Sequence, residues 1–253
     1  MPEIREPVRK ENEVGESGVV YPDSDGKPMA GNMTQHRWMT LIFGNLERLY
    51  KDDPNVLVCT DLLWYPVQGA RDFSLAPDIM AVFGRPKWER RSYKQWEEGG
   101  IAPQVVFEIV SESNSIHEMF TKVAHYGVHG VEECYIYDPD SGGLDAITFA
   151  DGKMAVVPVQ YEYTSPRLGV RFVPQERADM GIYFADGSPF LSNKELDALL
   201  AFRTEERDRA LELASAERER ANTERERAEK AEAEIARLRA LLAGQVVGGE
   251  PGV

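Results

Sequence analysis

Residues 105–110 read Val-Val-Phe-Glu-Ile-Val, five strongly apolar side chains around a single carboxylate, Glu108. A short run this rich in β-branched and aromatic residues has the pattern of a strand covered on both faces. A buried carboxylate without a partner costs several kcal/mol, so a fold that keeps Glu108 must give it a cation, a proton or a donor. This one position therefore demands a sheet with elements on each side and a compensating group close by.

The flanking segments supply such a sheet. Trp38, Leu41, Ile42, Leu46 and Leu49 recur at helical spacing and predict a first helix over about 34–51, with Thr34 placed to cap it. Extended segments follow at 55–67 and 75–84, then the run at 103–111 that holds Glu108. The stretch 115–130 predicts a second helix with Ile116, Met119, Phe120 and Val123 on one face and glycines ending it. A strand at 131–138 leads into a hairpin turning at Asp151-Gly152, and a last extended piece surrounds 168–174. This order predicts an α/β domain with one mixed central sheet flanked by helices.

The ends have other compositions. Residues 1–31 are rich in Pro, Gly and charge and read as an irregular leader, leaving 32–192 as the globular domain. From Leu196 to Ala243 there is neither Pro nor Gly, and Glu-Arg-Glu-Arg-Ala occurs twice, seven residues apart. That register aligns Ala228, Ala231, Ile235, Leu238 and Leu242 on one seam. Residues 193–245 thus read as a long charged helix, either a coiled coil centred on 228–242 or a single helix held by i,i+4 ion pairs, and 246–253 as a disordered tail. A coiled coil there, or contact between the domains, would make the chain a homodimer.

Composition excludes some functions and narrows others. No apolar run approaches the ~20 residues that span a bilayer, and the start of the chain has no apolar signal core, so a cytoplasmic protein with no membrane partner is expected. Cys59 and Cys134 each lie in apolar stretches and read as free thiols. The net charge is −14; residues 194–253 carry 11 basic and 14 acidic side chains, so the acidity lies mainly before them. A polyanionic ligand would need a local basic patch or bound cations. Residues 85–100 offer one patch, with Arg85, Lys87, Arg90 and Arg91 among two tryptophans, and read either as a phosphate-gripping surface or as an exposed loop.

Glu108 has a counterpart in Asp78 of Pro-Asp-Ile-Met-Ala-Val-Phe. Neighbouring strands that each place an acid at an interior position bring two carboxylates together, and these must share a proton or bind a cation. Hard oxygen ligands of this kind suit Mg²⁺, with Mn²⁺ as a substitute. Downstream, Glu118, Lys122 and Tyr126 follow at intervals of four on the second helix. A lysine reaching the same carboxylates could orient a nucleophile or offset developing negative charge, or could simply pair with Glu108. His125 and His129 lack a third ligand on their face and do not make a zinc site.

The segments "PDIMAVFG", "VVFEIVSESNS" and "EMFTKVAHYGVHGVEECYIYDP" together resemble the Uma-two-type restriction endonuclease family of the PD-(D/E)XK nuclease superfamily, over roughly residues 32–175. The resemblance implies a restriction-endonuclease-like fold and a site in which Asp78, Glu108 and the Ile109 carbonyl hold the metal. Lys122 and Tyr126 would be the further catalytic residues, with Glu118 and Glu47 as accessory acids. The superfamily's usual lysine two positions after the second acid is Val110 here, and the family's helical lysine matches Lys122. The implied activity is Mg²⁺-dependent hydrolysis of DNA phosphodiester bonds. The alternative is a catalytically degenerate nuclease-like module that acts through its coiled coil or by binding nucleic acid. A different phosphodiester or nucleotide substrate is a third reading.

Overall fold

The computed structural model describes residues 21–22, 31–111, 114–175 and 179–246, with residues 242–246 described as backbone only. The expected leader, apart from Tyr21, Pro22 and Gly31, the tail beyond 246 and the side chain of Leu242 lie outside the described residues. The order of elements is α1 (Met33–Leu49), β1 (Val56–Thr60), β2 (Trp64–Tyr65), β3 (Ile79–Phe83), β4 (Tyr93–Lys94), β5 (Val105–Ile109), α2 (Ile116–His129), β6 (Glu133–Asp138), β7 (Gly143–Ala150), β8 (Lys153–Val159), β9 (Tyr163–Thr164), β10 (Arg171–Val173), β11 (Gly181–Tyr183) and α3 (Asn193–Val246).

Six strands form the central sheet in the order β1-β3-β5-β6-β7-β8. The β5–β6 pair is parallel and the other pairs are antiparallel. The parallel pair needs a crossover, and α2 is that crossover. Side chains alternate across the sheet. On β5, Val105, Phe107 and Ile109 join the core that holds Trp38, Met39, Ile42 and Leu46 of α1. Val106 joins the opposite core, with Val123 and Tyr126 of α2. Parity places Glu108 on the α2 side, which is why its partners come from that helix. Strands β9, β10 and β11 form a small antiparallel sheet whose Phe172 and Ile182 complete the α1-side core.

Several local expectations are corrected. Asn32, rather than Thr34, caps α1, its side chain accepting the Gln35 N–H. The extended run at 55–67 is split because Asp61 takes a left-handed conformation between β1 and β2. On α2 the expected apolar face is rotated: Val123 and Tyr126 are buried, whereas Ile116 and Phe120 are 92% and 69% exposed. The exposed loop expected at 85–100 is tied down by buried Glu98, which accepts from Arg85 at 2.7 Å and Arg90 at 2.6 Å. The Asp151-Gly152 hairpin has both residues at positive φ, as a two-residue turn of this hand requires.

Both cysteines are free, Cys134 buried and Cys59 partly so. No helix among the described residues is long and apolar enough to cross a membrane. The chain divides into two compact units, Met1–Asn193 and Lys194–Val253. The second is dominated by α3, whose described side chains are exposed apart from the half-buried Leu196 and whose ion pairs include Arg209–Glu205 and Arg225–Glu229, each one turn apart.

Candidate active site

The register Ile79↔Phe107 between β3 and β5, extended by one residue, sets Asp78 opposite Glu108. Asp78 precedes β3, where its carboxylate accepts the Ile109 N–H at 2.7 Å. Glu108 is 1% exposed. Its carboxylate accepts from Lys122 Nζ at 2.8 Å and from the Tyr126 hydroxyl. Lys122 Nζ also donates to the Ala76 carbonyl at 3.2 Å. One turn of α2 separates Lys122 from Tyr126, so a single helix face delivers both donors to one carboxylate.

The electrostatics follow from this geometry. Burial pushes Glu108 up to about 7, against the opposing pull of Lys122 and reinforced by the nearby Asp78 charge. Burial also raises Asp78 from its ordinary value, opposed by the Ile109 N–H, Lys122 and Gln35. For Lys122, burial favours the neutral amine, but Glu108 and Asp78 outweigh it and keep the ammonium protonated. Tyr126 is raised well above its usual range by burial and by Glu108, so its hydroxyl remains a donor.

Gln35, at the start of α1, completes the group and is not among the sequence candidates. Its Nε2 lies 3.2 Å and 3.1 Å from the two Asp78 oxygens and 3.2 Å from the Ile109 carbonyl. One N–H₂ group thus occupies the point where a carboxylate and a backbone carbonyl converge. A signal for it exists in the sequence. The apolar stripe Trp38, Ile42, Leu46, continued one turn towards the N-terminus, arrives at Gln35.

The remaining sequence candidates are placed elsewhere. Glu47 lies twelve residues further along α1, about 18 Å away along a straight helix, and faces Lys87 at 3.8 Å; it does not join the site. Glu118 lies one turn before Lys122 and adds to the field that keeps the ammonium protonated. Arg85 and Arg90 are held by Glu98. Lys87 donates to the Tyr50 carbonyl at 2.7 Å. Arg91 is exposed. Val110 donates its N–H to the Tyr137 carbonyl and continues the β5–β6 ladder, leaving Lys122 as the ammonium at Glu108.

The mixed central sheet, with α2 as the crossover between its parallel strands, is the restriction-endonuclease-like fold that the sequence implies. Residues 18–175 match the sequence family described as "Uma2: Putative restriction endonuclease". The chain belongs to that family. A solved structure described as "a putative nuclease belonging to DUF820 from Anabaena variabilis" is similar at 17% identity and a TM-score of 0.43, covering 60% of this chain and 80% of that one. No curated protein matches the chain.

Proposed function

We infer that the protein is a nuclease that hydrolyses DNA phosphodiester bonds with a divalent cation, Mg²⁺ or Mn²⁺, held by Asp78, Glu108 and the Ile109 carbonyl. The observation that carries this reading is the Gln35 amide nitrogen, hydrogen-bonded to both Asp78 oxygens and to the Ile109 carbonyl. These acceptors converge on one donor, as they would on a cation. Hard oxygens of this type suit Mg²⁺, which keeps waters to fill its remaining positions. Among the described residues no three His, Cys, Asp or Glu side chains gather as a metal cluster, so a backbone carbonyl and water must complete the set. A bound cation of this kind supplies Lewis-acid stabilisation of phosphoryl charge and lowers the pKa of a coordinated water.

The chain's own groups have distinct tasks in this reading. Lys122 keeps its proton beside Glu108 and presents an ammonium that orients a nucleophilic water or offsets charge on the scissile phosphate. Tyr126 fixes one Glu108 oxygen and is a positioning residue. The backbone N–H of Ile109 fixes Asp78. Gln35 holds the acceptors together until a cation replaces its amide group.

Calorimetric titration with Mn²⁺ is the direct test. One site in the wild type, lost in Glu108→Gln, is the expected result; no heat of binding in the wild type would favour the degenerate-module reading. That second reading has its own support, since Arg85 and Arg90 are engaged by Glu98 and the chain is strongly acidic. Gln35→Glu adds an anionic oxygen at the point of convergence and is expected to tighten Mn²⁺ binding about tenfold, because affinity at oxygen sites follows ligand charge. The same substitution is expected to lower the melting temperature of the cation-free protein, where three carboxylates would then repel. An unchanged Mn²⁺ affinity would remove Gln35 from the site.

A further inference from the structure

We propose that the chain forms a two-fold dimer by antiparallel pairing of β8 with β8 of a second copy, joining the two central sheets. This does not depend on the catalytic reading.

Among the described residues β8 is an edge strand, exposed at every position from Lys153 to Pro158. Native proteins blunt such edges with charge, proline, short length or bulges, and of these β8 has Lys153 at its start and Pro158 near its end. Here the strand runs seven residues, pairs with β7 in an unbroken register, and carries no charge after Lys153. Met154 and Val156 are 52% and 50% exposed.

The hairpin geometry determines which backbone groups face away from β7. A two-residue turn makes Ala150↔Lys153 a hydrogen-bonded pair, and such pairs alternate along the ladder. Residues 153, 155, 157 and 159 therefore bond to β7, while Met154, Val156 and Pro158 point their backbone groups outward. Proline occupies one of the outward positions, where its missing N–H takes nothing from the β7 ladder.

This pattern is self-complementary about Val156. In an antiparallel pairing centred there, Val156 exchanges N–H and C=O bonds with its own counterpart, and each Met154 N–H reaches a Pro158 carbonyl. Two chains of net charge −14 repel, so close approach requires an uncharged contact zone. The strip Met154–Val159 is such a zone.

The neighbouring surface extends it. Met154 pairs with Phe149 and Val156 with Ile147, so their side chains share the sheet face covered by α2. The helix sits close on β7, since a Cβ at Gly127 would lie 2.5 Å from the Phe149 ring. Ile116 and Phe120, eleven and seven residues before Gly127, lie on that same flank and are exposed. The apolar surface thus runs from α2 across Phe149 to the edge, and joining two copies would place two such surfaces side by side.

The test is sedimentation velocity of the full chain together with amide hydrogen exchange at high and low concentration. A dimer is expected in which the Met154 and Val156 amides are protected, and lose protection on dilution. Val156→Pro removes only an outward N–H, and should weaken association about tenfold with circular dichroism unchanged. Val156→Lys, which leaves the backbone intact, should do the same and serves if the proline variant does not fold. A monomer at all concentrations would overturn the proposal, as would association continuing past the dimer. It would also fall if a dimer formed with freely exchanging Met154 and Val156 amides, which assigns association to α3 or another surface, or if both folded variants associated like the wild type.

Discussion

Asp78→Ala and Glu108→Ala are each expected to abolish Mg²⁺-dependent cleavage of DNA, with a loss on the order of 10³-fold or more, the scale seen when a preorganised charge at a reacting centre is removed. Asp78 is the acceptor for Ile109 N–H and both oxygens of its carboxylate accept from the Gln35 amide, so alanine there removes the proposed oxygen ligand and the anchor of the β5 end together. Glu108 is the other acid at that end and the counter-ion of Lys122. Plasmid nicking in Mg²⁺, with circular dichroism to verify folding, checks both. Undiminished cleavage by the two folded variants would remove these residues from the site.

Lys122→Met is expected to destabilise the cation-free protein by about 3 kcal/mol at pH 8, the cost of leaving a buried carboxylate without its partner. The pH dependence has a definite sign. Glu108 has a folded-state pKa already raised to about 7 above its ordinary value, and loss of the ammonium raises it further. Below the unfolded-state value the group is protonated in both states and the penalty vanishes; it grows as pH rises towards and through the folded-state value. Urea melts at pH 5 and pH 8 should therefore show a small deficit in acid and a large one in base. An equal deficit at both pH values would mean that Lys122 contributes packing alone.

Much of this site is legible in the sequence because it is built from local periodicities. Alternation along 105–109 puts Glu108 on one face of β5, and intervals of four on α2 put Lys122 and Tyr126 on one face of the helix; a crossover helix then brings the two together. What was not legible depends on distant pairing. Gln35 meets Asp78 across 43 residues, and although it continues the apolar stripe of α1, an amide in the first turn of a helix does not by itself name its partner. Glu47 has the chemistry expected of a first-helix acid, but lies at the wrong end of that helix. The α2 pattern contains two apolar arcs, and only contact with the sheet decides that Val123 and Tyr126 go inside while Ile116 and Phe120 stay out. The charge-rich 85–100 segment reads as solvated until Glu98 is seen buried between two arginines.

The contact at Gly127 reaches beyond the packing of one hairpin. Because the helix has no side chain there, the Phe149 ring packs directly against its backbone and limits how closely α2 approaches the sheet. Lys122 and Tyr126 lie on the same rigid helix, five residues and one residue before that point, and their bonds to Glu108 are made at the resulting height. Position 127 thus acts as a gauge of the gap between α2 and Glu108. A methyl group added there would lift the helix like a shim and draw both donors away from the carboxylate, although neither residue 127 nor Phe149 touches it.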